Sequence, residues 1–417
     1  MKNYLLNCDQ KILKIIQKIS REANRKNLKV YLVGGIVRDL ILKRKNLDLD
    51  IVVEANAISF AQDLAKIFGL KIKSYGPFGT ATLEWNNGIR IDFATARKES
   101  YPQPGALPVV QEGTLKDDLF RRDFAINALA IAIHKDCYAQ LIDEFGGCED
   151  IKNKKIRILH DQSFVDDPTR ILRVIRFEQR FHFKIERKTL SLLKMALRSR
   201  AMDSVKPPRY FVEFKKFFLE EKPASYLKRL SQLDAFEWLD PRFKLNCPLV
   251  NSLEHNFRKI KNKSDDQICL IYFMALLEKS NAQIAHRILE RFPFKRAEKK
   301  SILQMDKLQD IIGALSRRDL RPSAVYRLLK PFSVETIFYF RLRGKRAIVC
   351  QRIDRFFDED RKVTLKINGK DLEQMGFAPG PTIGETLNKI LYQKIDGRIC
   401  SKRDEWKLAA ELKGSLT

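Results

Sequence analysis

The stretch from Tyr31 to Val53, YLVGGIVRDLILKRKNLDLDIVV, restricts the fold more than any other part of the chain. A β-branched run at Val30 to Val33, a Gly34-Gly35 turn, a helix over Ile36 to Leu42 and a second strand over Leu49 to Val53 form one continuous unit. Unpaired N–H groups at the start of such a helix, with two residues that lack Cβ atoms, favour an anion such as phosphate, and Arg38 could add a charge-assisted contact. The competing reading is a plain structural turn. In LDLDIVV the two-residue period of a strand puts Asp48 and Asp50 on one face, with Leu47, Leu49 and Ile51 on the other, toward a core. Like charges so placed repel unless a cation lies between them, and hard carboxylate oxygens suit Mg²⁺. A solvated edge strand is the alternative. Asp92, in GIRIDFATAR on a later strand, is a candidate third carboxylate.

The first third alternates short strand-like runs with helical stretches, as an α/β or α+β domain does. Further strands are expected at Lys71 to Tyr75, Thr80 to Trp85, Arg90 to Ala94 and Tyr138 to Ile142. Three prolines and two glycines between Lys98 and Asp118 predict an irregular loop. From about Asp161 apolar residues recur at helical spacing, in Thr169 to Phe181, Leu190 to Leu197, Asp265 to Leu277 and Arg343 to Phe357, and breakers such as Pro207-Pro208 and Pro379-Gly380-Pro381 divide the helices into modules.

With 79 Lys and Arg against 52 Asp and Glu, the chain carries a formal charge of +27, which directs it toward a large polyanion, nucleic acid first. Seven cysteines without CxxC spacing support neither a disulfide framework nor a zinc site. The apolar run Ile268 to Leu277 is about half the length of a membrane span, and MKNYLLNCDQK lacks a signal-peptide core. The expectation is an intracellular, cytoplasmic protein without a membrane partner. Five scattered histidines (His134, His160, His182, His255, His286) suggest no metal cage.

Two further clusters carry chemistry. In RRDFAINALAI, Arg121 and Arg122 offer planar forks for a triphosphate, and Asp123 with Asn127, one turn along a helix-like run, offers an acceptor and an amide for sugar hydroxyls. A surface Arg–Asp salt bridge is the alternative. In DDPTRILRVIRFEQRF, Pro168 after Asp167 marks a helix start. Arg170, Arg173, Arg176 and Arg180 then fall in one stripe of about 120°. Four guanidinium groups along one side want anions or planar acceptors. An exposed basic face is the competing reading.

These clusters, in this order, resemble the class II tRNA nucleotidyltransferases, the CCA-adding enzymes, and the related bacterial poly(A) polymerases. The likeness rests on GGIVRD with LDLD, RRDFAINALA, LIDEFGGCEDI leading to KIRIL, and DDPTRILRVIRFEQRF; it is weaker at Arg209 and Glu213 and in INGKDLEQMGFAPGPTIGETLNKIL. It implies an α+β nucleotidyltransferase head with a DNA polymerase beta-like sheet (residues 1–150), followed by an all-α neck (151–220), body (221–340) and tail (341–417). It further implies that Gly35 and Arg38 touch the incoming nucleotide, that Asp48 and Asp50 bind magnesium, and that Arg122 grips the triphosphate. Asp167 and Arg170 would read the base edge of CTP or ATP, with Arg173 and Arg176 in the same pocket, and tRNA would lie along the helical modules. Two departures stand out: Asp166-Asp167-Pro168-Thr169-Arg170 replaces a common Glu-Asp-x-x-Arg, and PGALP at Pro104 to Pro108 replaces Gly-Arg-(Arg or His)-Pro in a loop that helps these enzymes pass from C to A addition. Addition of all of CCA, of CC only or of A only therefore stays open. So do poly(A) synthesis and a non-catalytic RNA-binding scaffold, and the oligomeric state is not legible.

Overall fold

The computed structural model describes residues 3–85, 88–255 and 263–414. The chain divides into two compact units, Met1–Pro241 and Arg242–Thr417.

The first unit is built on a seven-stranded sheet. Helix α1 (Gln10–Arg25) is capped by Asp9 and buries Ile12, Ile15, Ile16 and Ile19 at helical spacing. There follow β1 (Val30–Val33), α2 (Gly35–Ile41), β2 (Leu49–Val53), α3 (Ala57–Phe68), β3 (Lys71–Tyr75), β4 (Thr80–Trp85) and β5 (Ile89–Thr95). The sheet order is β3-β4-β5-β2-β1, completed by β8 (Ala130–Ala132) and β9 (Leu141–Ile142). Only β2 and β5 pair in parallel; every other pairing in the sheet is antiparallel. The parallel pair sets Asp50 directly opposite Asp92.

Three expectations are corrected here. The span from Lys98 to Asp118 is not an irregular loop: β6 (Arg97–Ser100) and β7 (Val109–Glu112) pair antiparallel, and α4 (Leu115–Phe120) begins at a capping box between Thr114 and Asp117. Its three prolines and Gly105 lie in the connection between the strands, and Gly113 follows β7. RRDFAINALAI is not a helix; Ala125–Asn127 form a single 3₁₀ turn and the remainder enters β8, whose residues pair with Tyr31, Leu32 and Val33. A central strand buried on both faces lacks alternation, so period alone misreads it. Tyr138 to Ile142 shrinks to Leu141–Ile142 because a 3₁₀ turn, Lys135–Cys137, takes up the approach.

Beyond the sheet come α5 (Gly147–Lys152), the short strand β10 (Lys155–Ile156), α6 (Ser163–Asp166) and α7 (Thr169–Phe181). Strand β11 (Lys184–Ile185) pairs parallel with β10. It is followed by α8 (Arg187–Arg198), α9 (Pro207–Leu219) and α10 (Pro223–Gln232).

The second unit is helical throughout its described residues. The apolar run Ile268 to Leu277 is a core helix, Asp265–Leu277, in which all ten of those residues are buried. No helix of the described residues is long and apolar enough to cross a membrane. The expected single helix over Arg343 to Phe357 is two, Val334–Arg343 and Ala347–Asp358, broken at Gly344. A last small core gathers Ile367, Leu372, Phe377, Ile390 and Ala409.

Candidate active site

A cleft of about 1080 Å³ in the first unit is lined by every site residue picked out from the sequence: Gly34, Gly35, Arg38, Asp48, Asp50, Asp92, Arg121, Arg122, Asp123, Asn127, Asp167, Arg170, Arg173 and Arg176. Its floor is the acidic edge of the sheet. Asp50 lies on β2, whereas Asp48 precedes the strand and is exposed, and Leu47, expected to face the core, is 60% exposed. The alternation therefore holds only from Leu49 onward. Asp92 is pinned by Thr82 Oγ1 at 2.5 Å and Arg90 Nε at 3.1 Å. Burial, and then the charges of Asp92 and Asp48, raise the pKa of Asp50, while Arg122 opposes the shift.

Gly34 joins this floor to the arginines. Its φ is +75°, and a Cβ built there would stand 2.5 Å from Arg122 Nη1 and 3.7 Å from an Asp50 carboxylate oxygen. Only a glycine leaves that space. Both arginines of the Arg121-Arg122 pair are anchored by the fully buried Asp118. Arg121 donates to it at 2.6 Å and Arg122 at 2.9 Å, and Arg121 also meets Glu99 at 3.0 Å. The Nε of Arg122 is buried without a hydrogen-bond partner among the described residues.

The arginine stripe of α7 does line one side of the cleft, but it is not a row of free cations. Arg173 pairs with Asp123 and with Glu213 of α9, and Arg176 lies 3.5 Å from Glu213 and 3.6 Å from Glu220. Arg170, 4% exposed, donates to Ser163 Oγ and to the carbonyl of Arg121. Neutralising anions thus come first from the protein itself, supplied across 40 to 50 residues of sequence. Asp123 and Asn127 are likewise committed. Asn127 donates to Asp123 at 2.8 Å and accepts from Arg38 at 2.6 Å, and Arg173 takes the other oxygen of Asp123. Burial alone would push Asp123 up; Arg173 and Asn127 overcome it and hold the carboxyl down at about 2. Asp167, two residues before α7, accepts from the Thr169 amide and also meets Arg209 of α9 at 2.9 Å.

Sequence reading missed Asp39, Asn46, Glu99 and Asp118. The signal for Asp118 was present, since it stands three and four residues before the two arginines, in the last turn of the helix that they follow. Nothing in local spacing announces Glu99, which reaches Arg121 from β6.

Strand-borne carboxylates, an open glycine turn and anchored guanidinium groups around one cleft are the parts of a nucleotidyltransferase. The donor set fits a hard divalent ion: Asp50 is part-buried beside two further carboxylates, with Arg122 and Arg90 as the arginines that oppose them, although among the described residues no three such groups have closed into a ligand cage. Residues 30–157 match the poly A polymerase head domain, and residues 182–245 match the probable RNA and SrmB-binding site of polymerase A. The A-adding tRNA nucleotidyltransferase of Halalkalibacterium halodurans is 31% identical over 96% of this chain and 92% of its own length. That of Geobacter sulfurreducens is 31% identical over 96% of this chain, which spans only 47% of that relative. A solved CCA-adding enzyme in an apo form superposes with TM-score 0.81 at 36% identity, covering 98% of this chain and 97% of the other. The Thermotoga maritima CCA-adding enzyme complexed with tRNA gives TM-score 0.73 at 35% identity over 99% and 98%. The chain belongs to the tRNA nucleotidyltransferase family.

Proposed function

We propose that this chain adds one or more nucleotides of the 3′-terminal CCA to tRNA, taking CTP or ATP and releasing pyrophosphate, without a nucleic-acid template. The observation that carries the reading is the cleft itself, where Asp48, Asp50 and Asp92 face Gly34 and the Arg121-Arg122 pair. Asp48 and Asp50 would hold Mg²⁺, which when bound neutralises developing charge and lowers the pKa of the attacking hydroxyl. The 3′ oxygen of tRNA forms a bond to the α-phosphorus as the bond to pyrophosphate breaks. Arg122, whose Nη1 lies beside Gly34, grips the triphosphate, and Arg121 supports it from the same helix end. Asp167 and Arg170 present acceptor and donor to the base edge, walled by Arg173 and Arg176. Arg38, Asp123 and Asn127 hold that wall in place and border the sugar. Asp92, across the pleat from Asp50, adds a further negative oxygen to the acidic floor.

The helices beyond residue 220, as body and tail, would bind the tRNA backbone in the cytoplasm. The net charge of +27 and the tRNA complex of the Thermotoga relative support this assignment. The test uses purified protein with tRNAs ending before C, after C and after CC, each given CTP, ATP or both. Discrete addition stopping at CCA is expected. A ladder of adenylates on a CC-ending tRNA would mean poly(A) synthesis, and no pyrophosphate release with any substrate would leave only an RNA-binding scaffold.

A further inference from the structure

Asp48 raises a problem that the strand does not solve. It lies outside β2 and is exposed, so no ladder bond of the sheet fixes it. Its backbone N–H donates instead to Asn46 Oδ1 at 2.9 Å, and the amide of the same side chain donates to Asp39 Oδ2 at 2.8 Å. Asp39 is buried and takes both Nε and Nη2 of Arg38, at 2.9 and 3.0 Å. Arg38 is in turn immobilised: it lies 4.5 Å from the centre of the Phe181 ring and donates to Asn127. The rest of the connection closes on the same two points, with the Arg44 amide donating to the Asp39 carbonyl at 2.8 Å and the Arg44 guanidinium 4.9 Å from the Phe181 ring.

We propose that Asn46 is a positioning residue for metal binding, keying the exposed Asp48 carboxylate to the buried Arg38–Asp39 ion pair. The inference rests on the preceding reading of Asp48 as a magnesium ligand. An amide is the side chain suited to this task, because one end accepts from Asp48 while the other donates to Asp39; aspartate has no donor to give and serine is too short to span both. Asp39 acts one step further back, holding Asn46 through the oxygen that it also offers to Arg38.

The test is direct binding of Mn²⁺ to the full-length protein, read by electron paramagnetic resonance, for wild type, D48A, N46A and N46S, with tRNA affinity in EDTA measured alongside. Loss of an outer support of a metal ligand weakens metal binding by about tenfold or more. N46A and N46S should both show that loss while retaining wild-type tRNA affinity in EDTA, a combination that general unfolding cannot produce. If N46A does not fold, N46S carries the comparison, since serine can still accept from the amide two residues on but cannot reach Asp39. Mn²⁺ affinities of the variants indistinguishable from wild type, with the D48A site lost, would overturn the role of Asn46 and leave the metal reading intact. Wild-type affinity in N46S with weakened binding in N46A would overturn the link to Asp39. Absence of any D48A-sensitive Mn²⁺ site in wild type would remove the metal reading and this inference together.

Discussion

At Asp50 burial comes first among the causes that raise the pKa, and the neighbouring Asp92 and Asp48 add to it. A carboxyl raised in the folded state favours folding fully below its ordinary value, and that contribution is lost as pH rises through the folded value. Its charge at neutral pH is therefore a burden on the fold. D50N should melt above wild type at neutral pH, while nucleotide addition falls by about a hundredfold or more. A lower melting temperature together with near-normal turnover would contradict both halves. Asp123 has the opposite sign. Held from its ordinary 3.8 down to about 2, it stabilises the fold fully above pH 3.8, and that contribution disappears as pH falls toward 2. D123N removes the closest anion of the part-buried Arg173, which keeps Glu213, at a cost of about 1–3 kcal/mol near neutrality. Denaturation midpoints of the two proteins should converge below pH 3.8. The acids were legible because Asp48 and Asp50 straddle one leucine in a β-branched run; the partners of Arg173 and Arg176 were not, because Glu213 approaches from α9, 40 residues beyond Arg173.

Among the elements, β6 and β7 teach the most. Their short sequences, RKES and VVQE, are largely polar or exposed, and they were hidden by the three prolines and Gly105 of the connection between them, which dominate any reading by composition. That connection is nevertheless held. The Gly105 amide donates to the Asp166 carbonyl, and the Gly105 carbonyl accepts from Arg209, which also meets Asp167. Gly105 has φ +69°, and a Cβ there would lie 2.9 Å from the Ser204 carbonyl oxygen. G105A should therefore cost on the order of 1–3 kcal/mol, release residues 101–108 to limited proteolysis, and loosen the choice between CTP and ATP through Asp167. Unchanged protease resistance would show that the connection is not secured in this way. Helix α7 was predicted over its full length, Thr169 to Phe181, because a proline start and a regular apolar stripe agree. RRDFAINALAI was misread for the converse reason: its small apolar residues suit helix locally, and only pairing with β1 decides for strand.

Over the whole molecule, the candidate catalytic residues all fall within Met1–Pro241, and the second unit is helical over its described residues. With a net charge of +27, tRNA affinity should fall by about a thousandfold as salt rises from about 50 to 200 mM, whereas CTP affinity changes far less. Filter binding across that range checks the contrast; a flat tRNA response would place recognition in contacts other than phosphate. The packing of the second unit was less legible than the sheet of the first, since no motif marks which helices pack together. The parallel pairing of β2 with β5 has a consequence for synthesis on the ribosome. Asp50 emerges 42 residues before the strand partner that sets Asp92 opposite it, and Glu213 of α9 emerges later still. A nascent chain stalled before β5 would own the glycine turn and two of the three carboxylates of the floor, but no assembled centre. The proposed centre thus stays unassembled until nearly the whole first unit has left the exit tunnel.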